Sequence, residues 1–281
     1  MINVENVCFK YKNSDYILKN INFSVNNGEV IAIVGKNGSG KSTLGRLIAG
    51  ITKLKEGTIT IDDVNTSKDM KAIREKVGIV FQNPENQIIF NNIYDELSFS
   101  LRNLEQSEIE NRISTSLKQV DMYDFKDKDL YALSLGQKQR IMIAEILAKN
   151  PKYIILDEPT TMIDSYGKEK IHDIILDLKQ KGYTIICITN LSDEILLADR
   201  TLILDNGEIV AEIKKEELIN KYDILEKYGI KIPTLLSILV ELKKEGIDLH
   251  VSDFSVKDFS TAIKEKLDAE RKSIWKMFLN F

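Results

Sequence analysis

Gly35-Lys36-Asn37-Gly38-Ser39-Gly40-Lys41-Ser42 places three glycines, a lysine and a hydroxyl at the spacing that wraps a chain of phosphates. Glycines at 35, 38 and 40 let backbone N–H groups curl around a β-phosphate, where a Cβ would hold the chain off. Lys41 then supplies a point charge to the β- and γ-phosphates, and the Ser42 hydroxyl is the expected Mg²⁺ ligand. Lys36, Asn37, Ser39 and Thr43 complete the set expected against the nucleotide. A glycine-rich turn with a chance lysine would share these letters but not their flanks. Val30 to Val34 is a short apolar run of the buried parallel type, and Thr43 to Ala49 reads as the helix that follows. The expected ligand is a nucleoside triphosphate.

A second constellation lies downstream. Tyr153 to Leu156 is an apolar strand that runs into Asp157, Glu158 and Pro159, and a parallel sheet would bring those acids to the edge where the phosphate loop sits. Asp157 is the candidate to hold Mg²⁺, directly or through water, and Glu158 the candidate to polarise an attacking water. Without the phosphate loop upstream, two such acids would read as a solvated strand cap.

These residues need a sheet to carry them, and the chain offers one. Ile2 to Phe9, Ile21 to Val25 and Thr58 to Ile61 are further strand candidates, with turns at Asn13-Ser14-Asp15 and Asn26-Asn27-Gly28, so the N-terminal part is expected to be partly antiparallel. Val77 to Phe81, Thr184 to Thr189 and Thr201 to Leu204 alternate with helical segments as a parallel sheet requires. Between about Asn92 and Lys149 the pattern is helical throughout. Asp205-Asn206-Gly207-Glu208 reads as a hairpin turn, and from about Lys214 the chain becomes rich in Lys and Glu. Pro233 is read as a first-turn residue of a helix over Thr234 to Glu245. The expected organisation is an α/β nucleotide-binding domain over 1–215, with a helical subdomain at about 92–149, and a small C-terminal helical domain over 216–281.

Composition narrows the function classes. The chain has 281 residues, 43% of them hydrophobic, and only four prolines, which fits an ordered globular protein. A net charge of −4 leaves no broad basic surface, so nucleic acid is not an expected partner. No apolar stretch reaches the ~18 residues a membrane-spanning helix needs, and the N-terminus lacks a signal-peptide core. Cys8 and Cys187 fall in separate apolar strands and read as buried free thiols.

Leu133-Ser134-Leu135-Gly136-Gln137-Lys138-Gln139-Arg140 opens a helix expected over Gln137 to Ala148. Together with Gln82 and the two motifs above, it makes residues 1 to 213 resemble the ATP-binding cassette (ABC) family. Ser134 and the N–H groups at the start of that helix form an anion site suited to a γ-phosphate. The resemblance implies that this phosphate belongs to ATP on a second ATPase subunit, with Gly136 and Gln137 beside Ser134. It also implies that Tyr11 stacks on adenine, that Gln82 follows the metal and the attacking water, and that Asp164 belongs to a loop communicating across the dimer. Leu135 replaces the usual first glycine of the signature. Asn190 stands where the family has a switch histidine, and it cannot carry charge or shuttle a proton as imidazole does. Neither His172 nor His250 is placed to compensate.

Val80-Phe81-Gln82-Asn83-Pro84-Glu85-Asn86-Gln87 resembles the segment that marks the ATPases of energy-coupling factor transporters, importers of vitamins and of cobalt or nickel. The stretch Ile224 to Leu249 resembles their C-terminal extension. Membership of that branch implies ATP and Mg²⁺ as cofactors, a membrane coupling subunit and a substrate-binding membrane subunit as partners, and a peripheral place on the cytoplasmic face of the cell membrane. Basic coupling helices would enter a groove beside Gln82, for which Asp95 and Glu96 are candidate acidic contacts; dipole compensation at a helix start is the alternative. Leu235, Leu236, Leu239 and Leu242 form an apolar stripe, read as a contact between two subunits or as packing on its own chain. The departures at Leu135 and Asn190 point to pairing with a related, unlike ATPase chain. Alternatives are the ATPase of another ABC transporter class and a nucleotide-gated ABC protein outside transport.

Overall fold

The computed structural model describes residues 1–249, 251 and 254–279. In chain order the strands are β1 (Ile2–Phe9), β2 (Leu18–Val25), β3 (Val30–Val34), β4 (Glu56–Ile61), β5 (Val64–Asn65), β6 (Val77–Val80), β7 (Tyr153–Asp157), β8 (Thr184–Thr189), β9 (Arg200–Asp205) and β10 (Glu208–Lys214). The helices are α1 (Lys41–Ile48), α2 (Met70–Lys76), α3 (Ile93–Phe99), α4 (Gln106–Gln119), α5 (Leu135–Ala148), α6 (Ser165–Gln180), α7 (Tyr222–Lys227), α8 (Thr234–Lys244) and α9 (Val256–Leu279).

Two sheets form. One is antiparallel, in the order β2-β1-β4-β5, with Asn6 and Asn20 in left-handed backbone where the β1–β2 register slips. The other runs β10-β9-β3-β8-β7-β6 and is parallel except for β10. β3, β7 and β8 are buried at every residue, covered on both faces, which explains their apolar runs. Alternate residues divide between two cores: Val30, Ala32, Val34, Ile154 and Leu156 pack with the helical segments, while Ile31, Ile33 and Ile155 pack with α1 and the antiparallel sheet.

Register decides what meets at the carboxyl edge. Val34 pairs with Thr189, Ile188 with Asp157, and Leu156 with Val80. The residues that leave these strands, at Gly35, Asn190, Glu158 and Phe81, therefore emerge side by side.

Several expectations are refined. The second strand begins at Leu18, and α2 and β5 carried no signal strong enough to be read. Pro233 is the N-cap of α8, one position before its first turn, and α8 ends at Lys244. Cys187 is buried, but Cys8 is only half-buried, and its sulfur accepts the Asn20 N–H at 3.2 Å. Leu236 and Leu239 are buried and Leu235 and Leu242 half-buried against the same core that covers the parallel sheet. Much of the stripe is thus satisfied within the chain.

Leu218, Leu225 and Ile230 belong to that core as well. Leu225→Ala is expected to cost about 2–5 kcal/mol, and to shift one cooperative unfolding transition measured in denaturant. A separate early transition, with the rest unmoved, would show that the tail does not share the core.

Candidate nucleotide site

The phosphate loop leaves β3 at Gly35 and closes at Gly40, the left-handed N-cap of α1 (φ 107°). Gly35 is required by space: a Cβ there would lie 2.1 Å from the Leu204 carbonyl oxygen of β9 and 2.9 Å from Ser39 Oγ. Lys41 is 4% exposed, and its Nζ donates to the Gly35 oxygen at 2.7 Å and the Lys36 oxygen at 3.0 Å. Burial lowers its pKa, while Glu158 and then Asp157 pull it back up.

The two acids at the end of β7 occupy different settings. Asp157 Oδ1 accepts the Ser42 hydroxyl at 2.9 Å, and burial raises its pKa against that hydrogen bond. Glu158 takes φ 51°, so the chain leaves the strand direction there. Its backbone N–H donates to the Ile188 oxygen at 2.7 Å, and its Oε2 accepts from Gln82 Nε2 at 2.8 Å and from Thr161 Oγ1 at 3.2 Å. Asn190 Nδ2 donates to Asn37 Oδ1 at 3.3 Å, and Asn190 Oδ1 is buried without a partner.

A cavity of about 440 Å³ gathers Asn37, Gly38, Gly40, Lys41, Ser42, Thr43, Gln82, Glu158 and Asn190, together with Ile17 and Thr161, which sequence reasoning missed. Thr161 stands three residues beyond Glu158 and was legible only as part of a loop; Ile17, before β2, gave no local signal. Gly35, Lys36 and Ser39 shape the loop from outside the cavity lining, and Ser39 Oγ is buried without a partner. Lys36 faces the C-terminal segment, where Gly229 (φ 70°) leaves it room: a Cβ on Gly229 would be 2.8 Å from Lys36 Cε. Tyr11, 42% exposed, brings its hydroxyl to 3.5 Å from Thr43 Oγ1 and its ring edge-on to Phe9.

The signature residues lie elsewhere. Ser134 is the N-cap of α5, which begins at Leu135, two residues before the expected start. Ser134 Oγ accepts the Gln137 N–H at 3.3 Å and Gln137 Oε1 accepts the Ser134 N–H at 3.0 Å, a capping box that leaves the Leu135 and Gly136 N–H groups facing outward from the helix end. Ser134, Gly136 and Gln137 line no part of this chain's cavity. Asp164 caps α6 through the Gly167 N–H at 2.7 Å. His172 is on α6 away from the cavity, and His250 lies outside the described residues.

One expectation is corrected. Glu96 is 3% exposed, and its Oε2 accepts the backbone N–H groups of Ile89 (2.9 Å) and Phe90 (2.7 Å), so it holds its own loop and offers no surface charge. The neighbouring groove, about 610 Å³, carries Lys71, Arg74, Arg102, Arg112 and Lys149 against Glu75 and Glu145. Among the described residues there is no group of three or more His, Cys, Asp or Glu side chains that would cage a metal.

A strand-loop-helix phosphate cradle, paired carboxylates at the end of a parallel strand one removed in the same sheet, and a separate capped helix carrying Ser134 define an ATP-binding cassette. The chain belongs to the ABC transporter family, whose profile matches residues 18–161. It is 39% identical over 274 residues to the energy-coupling factor transporter ATP-binding protein EcfA1 of Ligilactobacillus salivarius, covering 95% of this chain and 97% of that one. Among solved structures, CbiO1 from Clostridium perfringens, part of the ABC transporter complex CbiONQ, superposes with a TM-score of 0.73 at 33% identity, over 84% of this chain and 97% of that one. The cassette MJ0796, solved as a dimer in a post-hydrolysis state with ADP and Pi, gives 0.70 at 32% identity, over 76% and 99%.

Gly35→Ala is expected to push the loop off β9, an overpacking that costs about 1–3 kcal/mol. A lowered melting temperature and lost binding of a fluorescent ATP analogue would report it. Wild-type affinity in the variant would mean that β9 does not back the loop so closely.

Proposed function

We propose that Glu158 is the general base of ATP hydrolysis in the transport ATPase of an energy-coupling factor importer for vitamins or transition-metal ions. The carrying observation is the separation of roles between adjacent acids: Asp157 is tied to Ser42, while Glu158 is turned into the cavity and oriented by Gln82 and Thr161. A carboxylate held by two donors beside the γ-phosphate position is placed to take a proton from water. The Ser42 hydroxyl, the Asp157 carboxylate and the Gln82 amide are hard oxygen donors, the set that suits Mg²⁺ bound partly by phosphate. Mg²⁺ there would neutralise phosphate charge. Lys41 binds the β- and γ-phosphates, and Asn190 donates one hydrogen bond to the γ-phosphate.

A second subunit completes the site. The signature residues of this chain stand apart from its own cavity, and the outward N–H groups of Leu135 and Gly136 are suited to a phosphate carried by another chain. Closure of two such chains on two ATP molecules drives the membrane coupling subunit, which docks in the groove bearing Ile89 and Phe99 through apolar and acidic groups of its own, because Lys71, Arg74, Arg102, Arg112 and Lys149 outnumber Glu75 and Glu145 there. Substrate selection belongs to a separate membrane subunit, and the ATPase sits on the cytoplasmic face of the membrane. The partner ATPase is an unlike chain: with Asn190 at one composite site and Leu135 at the other, no single site carries both departures.

Glu158→Gln is expected to keep ATP binding while cutting hydrolysis by roughly 10²–10⁴, and to trap a closed pair. Lys41→Ala should weaken ATP binding itself. Near-normal turnover in Glu158→Gln would remove Glu158 from the catalytic role.

Asn190→His is expected to raise turnover at this chain's phosphate loop, because an imidazole restores charge near the γ-phosphate. The measurement is steady-state hydrolysis by the assembled pair with the partner's catalytic glutamate replaced. Equal or lower activity would show that asparagine is already competent.

A further inference from the structure

Glu194 is a buried carboxyl that the hydrolysis scheme leaves unused. It is 1% exposed and lies in the 3-10 turn Ser192–Leu197, which follows Asn190. Its Oε1 accepts the hydroxyl of Thr160, itself 0% exposed. Its Oε2 accepts from the Cys187 thiol on β8 at 3.6 Å. His172 Nε2, from α6, lies 4.0 Å from Oε1 and is buried with no hydrogen-bond partner. None of the four residues lines the nucleotide cavity.

Of these contacts Thr160 is next in sequence to a residue that does, Thr161, and Cys187 lies three residues before another, Asn190. Thr160 stands between Glu158 and Thr161, in the loop that carries the candidate base and one of its two donors. Cys187 leads along β8 to Thr189 and Asn190, and α6 is the helix capped by Asp164. Ile171 and Ile195, beside His172 and Glu194 in the chain, are fully buried, and the Thr189 hydroxyl is a further polar neighbour of the Glu194 carboxyl. A leucine would fill such a space without needing partners, whereas a carboxyl is tolerated only where its oxygens are satisfied. Burial raises the Glu194 pKa against the hydrogen bonds from Thr160, Thr189 and Cys187, and burial lowers that of His172.

We propose that Glu194 is a positioning residue for ATP hydrolysis: through the Thr160 hydroxyl it holds the Glu158–Thr161 loop in register with the loop that carries Asn190. The inference rests on the reading of Glu158 as the base. Without the Thr160 contact the loop keeps its fold but loses the alignment of the base against the γ-phosphate, and such misplacement slows chemistry more than it weakens binding.

Thr160→Val removes the hydroxyl at constant shape, Glu194→Ala removes the acceptor, and Glu194→Gln keeps one carbonyl oxygen to accept from Thr160. Each is assayed in the assembled transporter with the partner's catalytic glutamate replaced, beside a Glu158→Gln control. Thr160→Val and Glu194→Ala are expected to lower kcat about 10–100-fold, with the ATP dissociation constant within about twofold of wild type. The double variant should fall no further than either single one, and Glu194→Gln should recover most of the rate. Should Glu194→Ala fail to fold, Thr160→Val alone carries the test. Wild-type kcat in Thr160→Val, or kcat and ATP affinity falling in step with melting temperature across the series, overturns the proposal and leaves Glu194 as packing. Near-normal turnover in Glu158→Gln instead overturns the reading beneath it.

Discussion

The register of four parallel strands is the constraint on which the site depends. β3, β8, β7 and β6 are paired so that Val34, Thr189, Asp157 and Val80 end within a residue of one another. A slip of one residue would turn every side chain of a strand to the opposite face. Both faces are apolar here, so hydrophobicity alone would not resist a slip. Shape does: the strands separate one set of residues toward the helical segments and another toward α1, in two distinct cores. Ser42, Gln82, Glu158 and Asn190 meet because those cores fix the ladder.

Within that frame, small backbone departures assign the chemistry. Glu158 in left-handed backbone leaves the strand, so of two neighbouring acids, which a regular strand would send to opposite faces, Glu158 lines the cavity and Asp157 reaches it through the Ser42 hydroxyl. Asp157 stays buried with Ser42, and Glu158 takes one donor, Thr161, from its own loop and another, Gln82, from the loop after β6. The cluster around Glu194 extends the same logic one layer away from the nucleotide, since it joins the segment after Glu158 to the segment after Asn190.

What the sequence made legible was local. The phosphate loop, the apolar run into Asp157 and Glu158, and the Ser134 cap are short contiguous patterns whose residue types are set by what each must touch. The parallel core, the antiparallel start and the helical segment from Asn92 followed from period and turn residues. What escaped was long-range. Glu96 reads as a surface acid until its carboxylate is seen holding the backbone at Ile89 and Phe90. Ile17 enters the cavity only through folding, and the leucines of α8 left two readings open, between subunits or on their own chain, because no local pattern records which core a helix joins. Lys36, inside the most readable motif, turns toward Gly229 because of a tail whose packing no local pattern records.

The central claim is that two parts of this chain, the phosphate loop and the helix start at Ser134, each meet a γ-phosphate, but on two different nucleotides. Orthovanadate held with ADP takes the place of that phosphate and cuts adjacent backbone under ultraviolet light. Irradiating the assembled complex and mapping the fragments of this chain by mass spectrometry tests it directly. Cleavage in two places, near Ser42 and near Ser134, is the expected result; cleavage confined to the phosphate loop would contradict a site shared between two chains.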